Sequence, residues 1–176
     1  MDFLTDIDKA IRSAVKTIIQ IPMDTPNEFF YADKNYRGLG LIRATWEAFI
    51  QHINSCKLLI RANIPQINIT RNFEEEVNEC FDKLELDRSI INDINEFDSK
   101  MVRNNLKSRA FDRWCRLPVK GAGVQLFKDT PHTNQWVFNR KSLSISQWTN
   151  AIKMSTNCIP VKALPGRCEN GTLCRT

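Results

Sequence analysis

Residues 41–61 read LIRATWEAFIQHINSCKLLIR, and they give the clearest structural signal in the chain. The apolar side chains recur at steps of four and three, at positions 42, 46, 49, 53, 56 and 60. This spacing places them on one face of a helix. We therefore predict a long helix from Leu41 to Arg61, with Trp46 and Phe49 in the core. His52 lies beside the stripe with no second His or acid at ligand spacing, so we interpret it as a structural histidine.

The same period appears on the N-terminal side of this helix. Apolar residues at positions 4, 7, 11, 15 and 18 predict a helix over residues 2–20, which Pro22 ends. Residues 21–40 contain two prolines and two glycines and show no helical period. We expect this segment to be an ordered loop that Phe29, Phe30 and Tyr31 attach to the core.

The sequence at Asn72 indicates the start of another helix. Asn72 followed by Glu75 resembles a capping box, and apolar residues at helical spacing continue to Leu84. Acidic side chains gather in the first turns, at positions 74, 75, 76 and 79, where they complement the helix dipole. We interpret this cluster as helix stabilisation and not as a divalent-metal site.

Two further helices are predicted in the second half of the chain. One covers residues 87–117 with a single break, and Pro118 stops it. The last covers residues 144–155, with Ser144 or Ser146 as its N-cap. The glycines of Lys120-Gly-Ala-Gly-Val form a turn, because they lack the third glycine and the strand that a phosphate-binding fingerprint requires.

These elements predict a mainly α fold: a helical bundle followed by a basic, loop-rich C-terminal linker. A chain of 176 residues with 42% hydrophobic and 26% charged residues can bury one core. We expect a helical domain over residues 1–117. Residues 118–176 would form the linker, with one short helix and an extended tail.

The charge is distributed very unevenly along the chain. Residues 100–176 hold 14 Lys or Arg against 3 Asp or Glu, whereas residues 1–99 hold 11 against 17. The basic part also contains Trp114, Trp136 and Trp148. Cations interleaved with aromatic rings are typical of proteins that bind phosphates and stack bases. The alternative is a basic surface that only meets solvent.

The cations of the predicted helix before Pro118 form two rows. Arg109, Arg113 and Arg116 share one face, and Arg103 and Lys107 flank the apolar stripe on the other side. We predict nucleic-acid binding, to RNA, DNA or an RNA–DNA hybrid, through a set of cations that also extends into the linker: Arg103, Lys107, Arg109, Arg113, Arg116, Lys120, Lys153, Lys162 and Arg167.

Secretion and membrane insertion are not expected. Acidic residues at positions 2, 6 and 8 stand where a signal peptide would be apolar, and the longest charge-free run, Ser142–Ile152, is too short and polar to span a bilayer. The six cysteines are irregularly spaced, which suits reduced thiols better than a disulfide framework. We therefore predict a location in the nucleus or the cytoplasm.

No catalytic motif is present. Neither Ser nor Cys stands with a His in a nucleophile motif, and we expect no cofactor. Tyr31-Ala-Asp33-Lys34 is not a two-metal polymerase turn, because a lysine takes the place of the second carboxylate. Cys168 and Cys174 alone are too few ligands for a zinc site.

Three groups of segments, in order along the chain, stand out beyond the helical pattern. They read IPMDTPNEFFYAD at 21–33 with GLGL at 38–41, KGAGV at 120–124 with NQW at 134–136 and WTNAI at 148–152, and ALPGR at 163–167 with TLCR at 172–175. Together they cover nearly the whole chain. They resemble non-LTR (LINE-type) retrotransposon polyproteins, in particular the arthropod class that inserts into ribosomal RNA genes.

The resemblance implies the region just after the reverse transcriptase palm, namely the thumb and the linker that leads into a zinc knuckle. Cys174 would be the first ligand of that knuckle, which is incomplete in this chain. The family's polyprotein copies its RNA from a nicked genomic target, a process called target-primed reverse transcription. The chain would then be a thumb-like bundle that contacts the primer–template or target DNA backbone and packs beside the remaining polymerase domains. Since the catalytic aspartates and the endonuclease lie outside this region, we expect neither polymerisation nor cleavage from it alone.

Two other hypotheses remain open. In the first, the chain is a helical protein-interaction module whose acidic half docks onto a basic partner, and the basic part serves solubility or nuclear import. Alternatively, it is a decayed transposon open reading frame with no selected activity, whose apolar helix faces evolved to meet a palm. Binding at low salt and the cooperativity of melting separate these hypotheses.

Overall fold

The computed structural model describes residues 2–62, 72–86, 94–137 and 143–158. These residues form helices and turns without a β-strand, which confirms the predicted mainly α fold. Short 3₁₀ helices cover Lys34–Tyr36, Ile94–Glu96 and Pro131–Val137. The α-helices are α1 (Asp2–Ile18), α2 (Asn27–Tyr31), α3 (Ala44–Ala62), α4 (Phe73–Lys83), α5 (Ser99–Cys115), α6 (Leu126–Asp129) and α7 (Ile145–Ser155).

The chain groups into two compact units. The first takes its described residues from Met1–Asp8 and Ile42–Asn105, and the second from Lys9–Leu41 and Leu106–Thr176. Helices α1 and α5 each contribute residues to both units. A boundary between a helical domain and a linker at residue 117 stays a prediction.

The core of the first unit lies between α3 and α4, which pack against each other. Trp46, Ile50, Ile53 and Cys56 are buried on one face of α3, in keeping with the predicted stripe. Phe49, expected in the core, is only half-buried. The stripe of α4 is buried as well, and the ring of Phe81 approaches that of Phe97 with centroids 6.2 Å apart.

The first turn of α3 is capped by a residue that is distant in sequence. The buried carboxylate of Asp8 accepts a hydrogen bond from the backbone N–H of Ala44 at 2.7 Å and from the hydroxyl of Thr45 at 3.2 Å. The first N–H groups of a helix have no partner within the helix, so this carboxylate satisfies them. Asp8 therefore attaches α1 to the start of α3.

We expect Asp8→Ala to destabilise the protein by about 1–2 kcal/mol, because it leaves these half-buried donors without their acceptor. Urea unfolding followed by circular dichroism measures the change. The matched control is Ser13→Ala, which removes an exposed hydroxyl from the same helix and is expected to change stability by less than about 0.5 kcal/mol. Equal unfolding midpoints for the two variants would contradict the capping role.

The helix ends follow local sequence rules. The side chain of Asn72 accepts from the backbone N–H of Glu75, and Ser144 forms a capping box with Gln147, so both predicted caps are confirmed. At the C-terminus of α7, Asn157 adopts a left-handed φ of 51°, and the N–H of Cys158 donates to the carbonyl of Lys153 at 2.8 Å. This is a Schellman ending with asparagine in the position that glycine usually takes.

An aromatic cluster forms the core of the second unit. Trp114 of α5 is 0% exposed and meets the rings of Phe29, Phe111 and Phe127 edge-on, with centroids 5.4–6.4 Å apart. Its indole Nε1 donates to the carbonyl of Lys120 at 3.0 Å. The segment after α5 is therefore held against the end of that helix.

The segment over residues 21–40 is ordered, but the prediction of a loop without a helix was wrong. It contains α2 and the turn Lys34–Tyr36, because its buried aromatic residues are adjacent in sequence and a short helix can bury them together. Asp33 caps this turn through the N–H of Asn35 at 2.7 Å. The Asp33 carboxylate thus has a structural role within a region of helices and turns.

The turn after α5 depends on glycine. The helix ends at Cys115, shortly before Pro118, as predicted. A Cβ at Gly121 would lie 2.3 Å from the carbonyl oxygen of Trp114, and Gly123 has a φ of 77°. Only glycine meets both conditions without strain. The Gly121–Gly123 segment is accordingly a tight turn.

Candidate nucleic-acid interface

Three arginines of α5 form what we call the cationic face: Arg109, Arg113 and Arg116, the last in the turn that follows the helix. Their spacing of four and three residues places them on one side of the helix, opposite the buried Phe111. Arg113 and Arg116 are exposed and Arg109 is half-buried. All three belong to the second unit, so the packing of α5 within that unit positions this face.

Arg103 is engaged within the first unit. Its guanidinium forms a bidentate pair with Glu47 of α3, with Nε to Oε2 at 2.9 Å and Nη2 to Oε1 at 2.6 Å. Hydrogen bonds from Arg103 lower the pKa of the Glu47 carboxyl, and the same bonds raise the pKa of Arg103. A phosphate would have to compete with this pair.

Lys120 is also engaged in an internal contact. Its ammonium donates to the backbone carbonyl of Asp24 and to the carboxylate of the same residue at 2.8 Å. Nearby, the buried ammonium of Lys16 donates to the carbonyl of Met23 at 2.6 Å. Burial, followed by the charges of Arg12 and Lys120, lowers the pKa of Lys16. These lysines hold the chain before α2 in place.

The remaining predicted cations are either half-buried or outside the residues that the structure describes. Lys107 on α5 and Lys153 on α7 are half-buried within the second unit. Lys162 and Arg167 lie outside the described residues, as does Cys174. Within the described part of the chain, the most exposed of the predicted cations are therefore Arg113 and Arg116.

Two of the three tryptophans in the basic part were wrongly expected to offer stacking surfaces. Trp114 is fully buried and Trp148 is 8% exposed, because each lies on the apolar face of its helix. Trp136 is half-buried and keeps part of its ring accessible. Stacking on a tryptophan of this region is thus confined to Trp136.

Trp136 lies beside Arg37, a residue that the sequence interpretation missed. The Arg37 guanidinium stacks on the ring of Phe127 with 4.2 Å between its carbon and the ring centroid, and lies 5.7 Å from the ring of Trp136. Burial lowers the pKa of this guanidinium from its ordinary value. Arg37 has a left-handed φ of 63°, and nothing in its sequence context signals that position.

These side chains border a cavity of about 360 Å³ in the second unit, which we call the Arg37 cavity. Trp136 and Phe127 provide its aromatic wall, and the turn at Gly123 and the end of α7 line its other sides. The cavity presents a ring face, a cation and the polar side chains of Ser155 and Asn157. That combination suits a planar polar group with a π-face.

Asn134 fixes the position of Arg37. Its amide is 0% exposed; the oxygen accepts from Arg37 Nε at 2.6 Å, and the nitrogen donates to the carbonyls of Asn35 at 2.5 Å and Phe127 at 2.7 Å. One side chain therefore ties together the turn Lys34–Tyr36, helix α6 and the 3₁₀ helix Pro131–Val137. In the sequence, Asn134 stands out only as part of the Asn134-Gln-Trp136 segment, which contributes to the family resemblance.

In the described part of the chain, no helix combines the length and apolar character that crossing a membrane requires. A scan against models of known protein families gives no match, and solved structures give no significant match.

One curated protein is similar along almost the whole chain. It is a retrovirus-related Pol polyprotein from the type-1 retrotransposable element R2 of Popillia japonica, 24% identical over 181 residues. The similarity covers 98% of this chain. This similarity supports a relationship between the chain and the proteins of non-LTR retrotransposons. The chain spans 22% of that polyprotein, about a fifth of its length.

Proposed function

We propose that this chain is a nucleic-acid-binding segment of a retrotransposon reverse transcriptase polyprotein. It corresponds to the thumb and the linker that follow the polymerase palm, and it acts in target-primed reverse transcription in the nucleus or the cytoplasm. It grips the backbone of the primer–template duplex or of the target DNA and contributes no catalytic group of its own.

The cationic face is the observation that carries this proposal. Arg109, Arg113 and Arg116 lie on one side of a helix whose other side is anchored by Trp114. Guanidinium groups held in a row on a rigid element suit successive phosphates, because each planar fork can donate two hydrogen bonds. The similarity to a Pol polyprotein over 98% of the chain supports a nucleic-acid partner for this face.

The Arg37 cavity adds a second mode of binding to the proposal. An unpaired base at the end of a duplex, or in single-stranded RNA, would stack against Trp136 and receive hydrogen bonds at its edge. Arg37 and the rings of the cavity are already in place, so little ordering is needed on binding. Base stacking of this kind tolerates many sequences.

The first test is the triple variant Arg109→Ala, Arg113→Ala and Arg116→Ala. We expect its affinity for a labelled RNA–DNA hybrid and for duplex DNA to fall by about tenfold or more at low salt. On duplex DNA, the slope of log affinity against log salt should shrink by about 0.9 for each phosphate that the variant no longer neutralises. Fluorescence anisotropy over a salt series measures both quantities.

A charge-matched control separates this face from net charge. Lys34, Lys83 and Lys100 are exposed elsewhere, and replacing all three with Ala removes the same charge. The control should keep nearly all of the affinity and slope, with circular dichroism showing that both variants stay folded. Equal losses of affinity in the two triple variants would show that binding depends on net charge and not on this face. An unchanged affinity in the arginine variant would refute the assignment.

A separate surface supports binding to the remaining polymerase domains. Within the second unit, helix α1 exposes Ile11 and Ile18, whose spacing of seven residues places them on one face; Ile18 is 76% exposed. Large apolar side chains aligned on an exposed helix suit a protein partner. If the chain binds no nucleic acid even at low salt, this stripe favours the protein-interaction module as the second candidate function.

A further inference from the structure

Helices α3 and α4 bring three different metal-binding side chains together. His52 and Cys56 are four residues apart on α3 and therefore share a face. Glu76 of α4 faces them: its Oε2 lies 3.1 Å from His52 Nε2 and 3.9 Å from Cys56 Sγ. The three donor atoms all lie within 4.8 Å of one another. The acid that the sequence of α3 lacks at ligand spacing is thus supplied by another helix.

We propose that His52, Cys56 and Glu76 form a site for Zn²⁺, with water as the fourth ligand. Imidazole, thiolate and carboxylate are the donors that zinc takes in proteins. Bonds of about 2.0–2.3 Å in a tetrahedral arrangement separate donor atoms by about 3.3–3.8 Å. The observed separations reach this range through side-chain adjustments of about 1 Å or less.

The donor set selects the metal class. A thiolate and an imidazole disfavour Mg²⁺ and Ca²⁺, which bind oxygen, and favour Zn²⁺ or Co²⁺. Cys56 is buried, whereas the side chain of His52 is 41% exposed and that of Glu76 is 29% exposed. One side of the site is therefore open to solvent, which leaves room for the water ligand.

The site lies entirely within the first unit and is independent of the proposed nucleic-acid binding. When bound, the metal replaces the hydrogen bond between His52 and Glu76 and links the two helices of that unit. Binding requires the Cys56 thiol to release its proton. Cys80, on the next turn of α4, lies outside the group of donor atoms.

The test uses Co²⁺ as a spectroscopic probe for the zinc site. Because Cys168 and Cys174 could bind metal themselves, the background is the full chain carrying Cys168→Ser and Cys174→Ser. We expect one Co²⁺ per chain, with a thiolate charge-transfer band in the near ultraviolet and visible bands of tetrahedral intensity. Added Zn²⁺ should abolish these bands, since it binds more tightly to such a site.

Single substitutions then test each donor. Cys56→Ser should remove the charge-transfer band, and Glu76→Gln and His52→Gln should each weaken binding at least tenfold. Cys115→Ser, at a half-buried cysteine of the second unit, is the matched control and should leave the spectrum unchanged. His52→Gln alters a half-exposed side chain, so it tests the site even if Cys56→Ser fails to fold. Absence of the charge-transfer band in the folded background protein, or its persistence in folded Cys56→Ser, overturns the proposal.

Discussion

Trp114→Ala is expected to lower the free energy of unfolding by about 3–5 kcal/mol, the range for removing a large aromatic side chain from a core. Trp114 is fully buried and packs against the rings of Phe29, Phe111 and Phe127. Alanine leaves a cavity among rings that α2, α5 and α6 hold in place. The substitution also removes the donor to the carbonyl of Lys120, so the turn after α5 loses its attachment to the helix.

Urea unfolding measures this effect, with circular dichroism as the probe because the substitution removes a fluorophore. Trp114→Phe separates the two contributions: it keeps a ring in the cluster, loses the indole donor and should cost clearly less than alanine. Leu126→Ala, at a 62% exposed position of α6, should stay within about 0.5 kcal/mol of the parent protein. A cost of Trp114→Ala below about 1 kcal/mol would mean that the aromatic cluster is not the core of this unit.

The long helices could be predicted because their burial is periodic. The stripe in residues 41–61 gave α3 to within three residues at each end, and the Ser144 and Asn72 caps gave the starts of α7 and α4. Helix α2 could not be predicted in this way. It has five residues, which is too short for a period, and the chain that follows it satisfies its carbonyl groups: the N–H of Leu39 donates to the carbonyl of Phe29 at 2.9 Å.

The candidate interface was only partly predictable, since composition does not say which cations are used inside the fold. Arg103 and Lys120 stand in the basic part of the sequence, yet they pair with Glu47 and Asp24 from the acidic part. Such pairing occupies donors that a phosphate would need. The uneven charge of the sequence therefore overstates the number of arginines and lysines available to a ligand.

The tryptophans illustrate the same limit. Aromatic residues serve a core and a stacking surface equally well, and only burial distinguishes the two roles. Trp114 and Trp148 joined the core, whereas Trp136 stayed partly accessible beside Arg37. Arg37 comes from the acidic half, 99 residues before Trp136, so no local pattern could have linked the two.

Asn134→Leu is expected to cost about 2–4 kcal/mol, since it replaces a fully buried amide by an apolar group of similar size and leaves its partners unsatisfied. The carbonyls of Asn35 and Phe127 lose their donor, and the Nε of Arg37 loses its acceptor. Arg37 then has no fixed position over Phe127. We expect the variant to bind single-stranded RNA more weakly as well, if the Arg37 cavity takes a base.

Thr133→Val provides the matched control for this prediction, because it keeps the buried Asn134 amide. It removes the hydrogen bonds of the exposed Thr133 hydroxyl with Arg37 Nη2 at 3.2 Å, with Thr130 and with Asn134 Oδ1 at 3.4 Å. Stability from urea unfolding and affinity from anisotropy should both change little in that variant. In Asn134→Leu, an affinity measured where the variant remains folded should fall for single-stranded RNA more than for duplex DNA, since duplex binding rests on the cationic face. A loss of stability without this difference would leave Asn134 a structural residue only and would remove the base-stacking part of the proposed function.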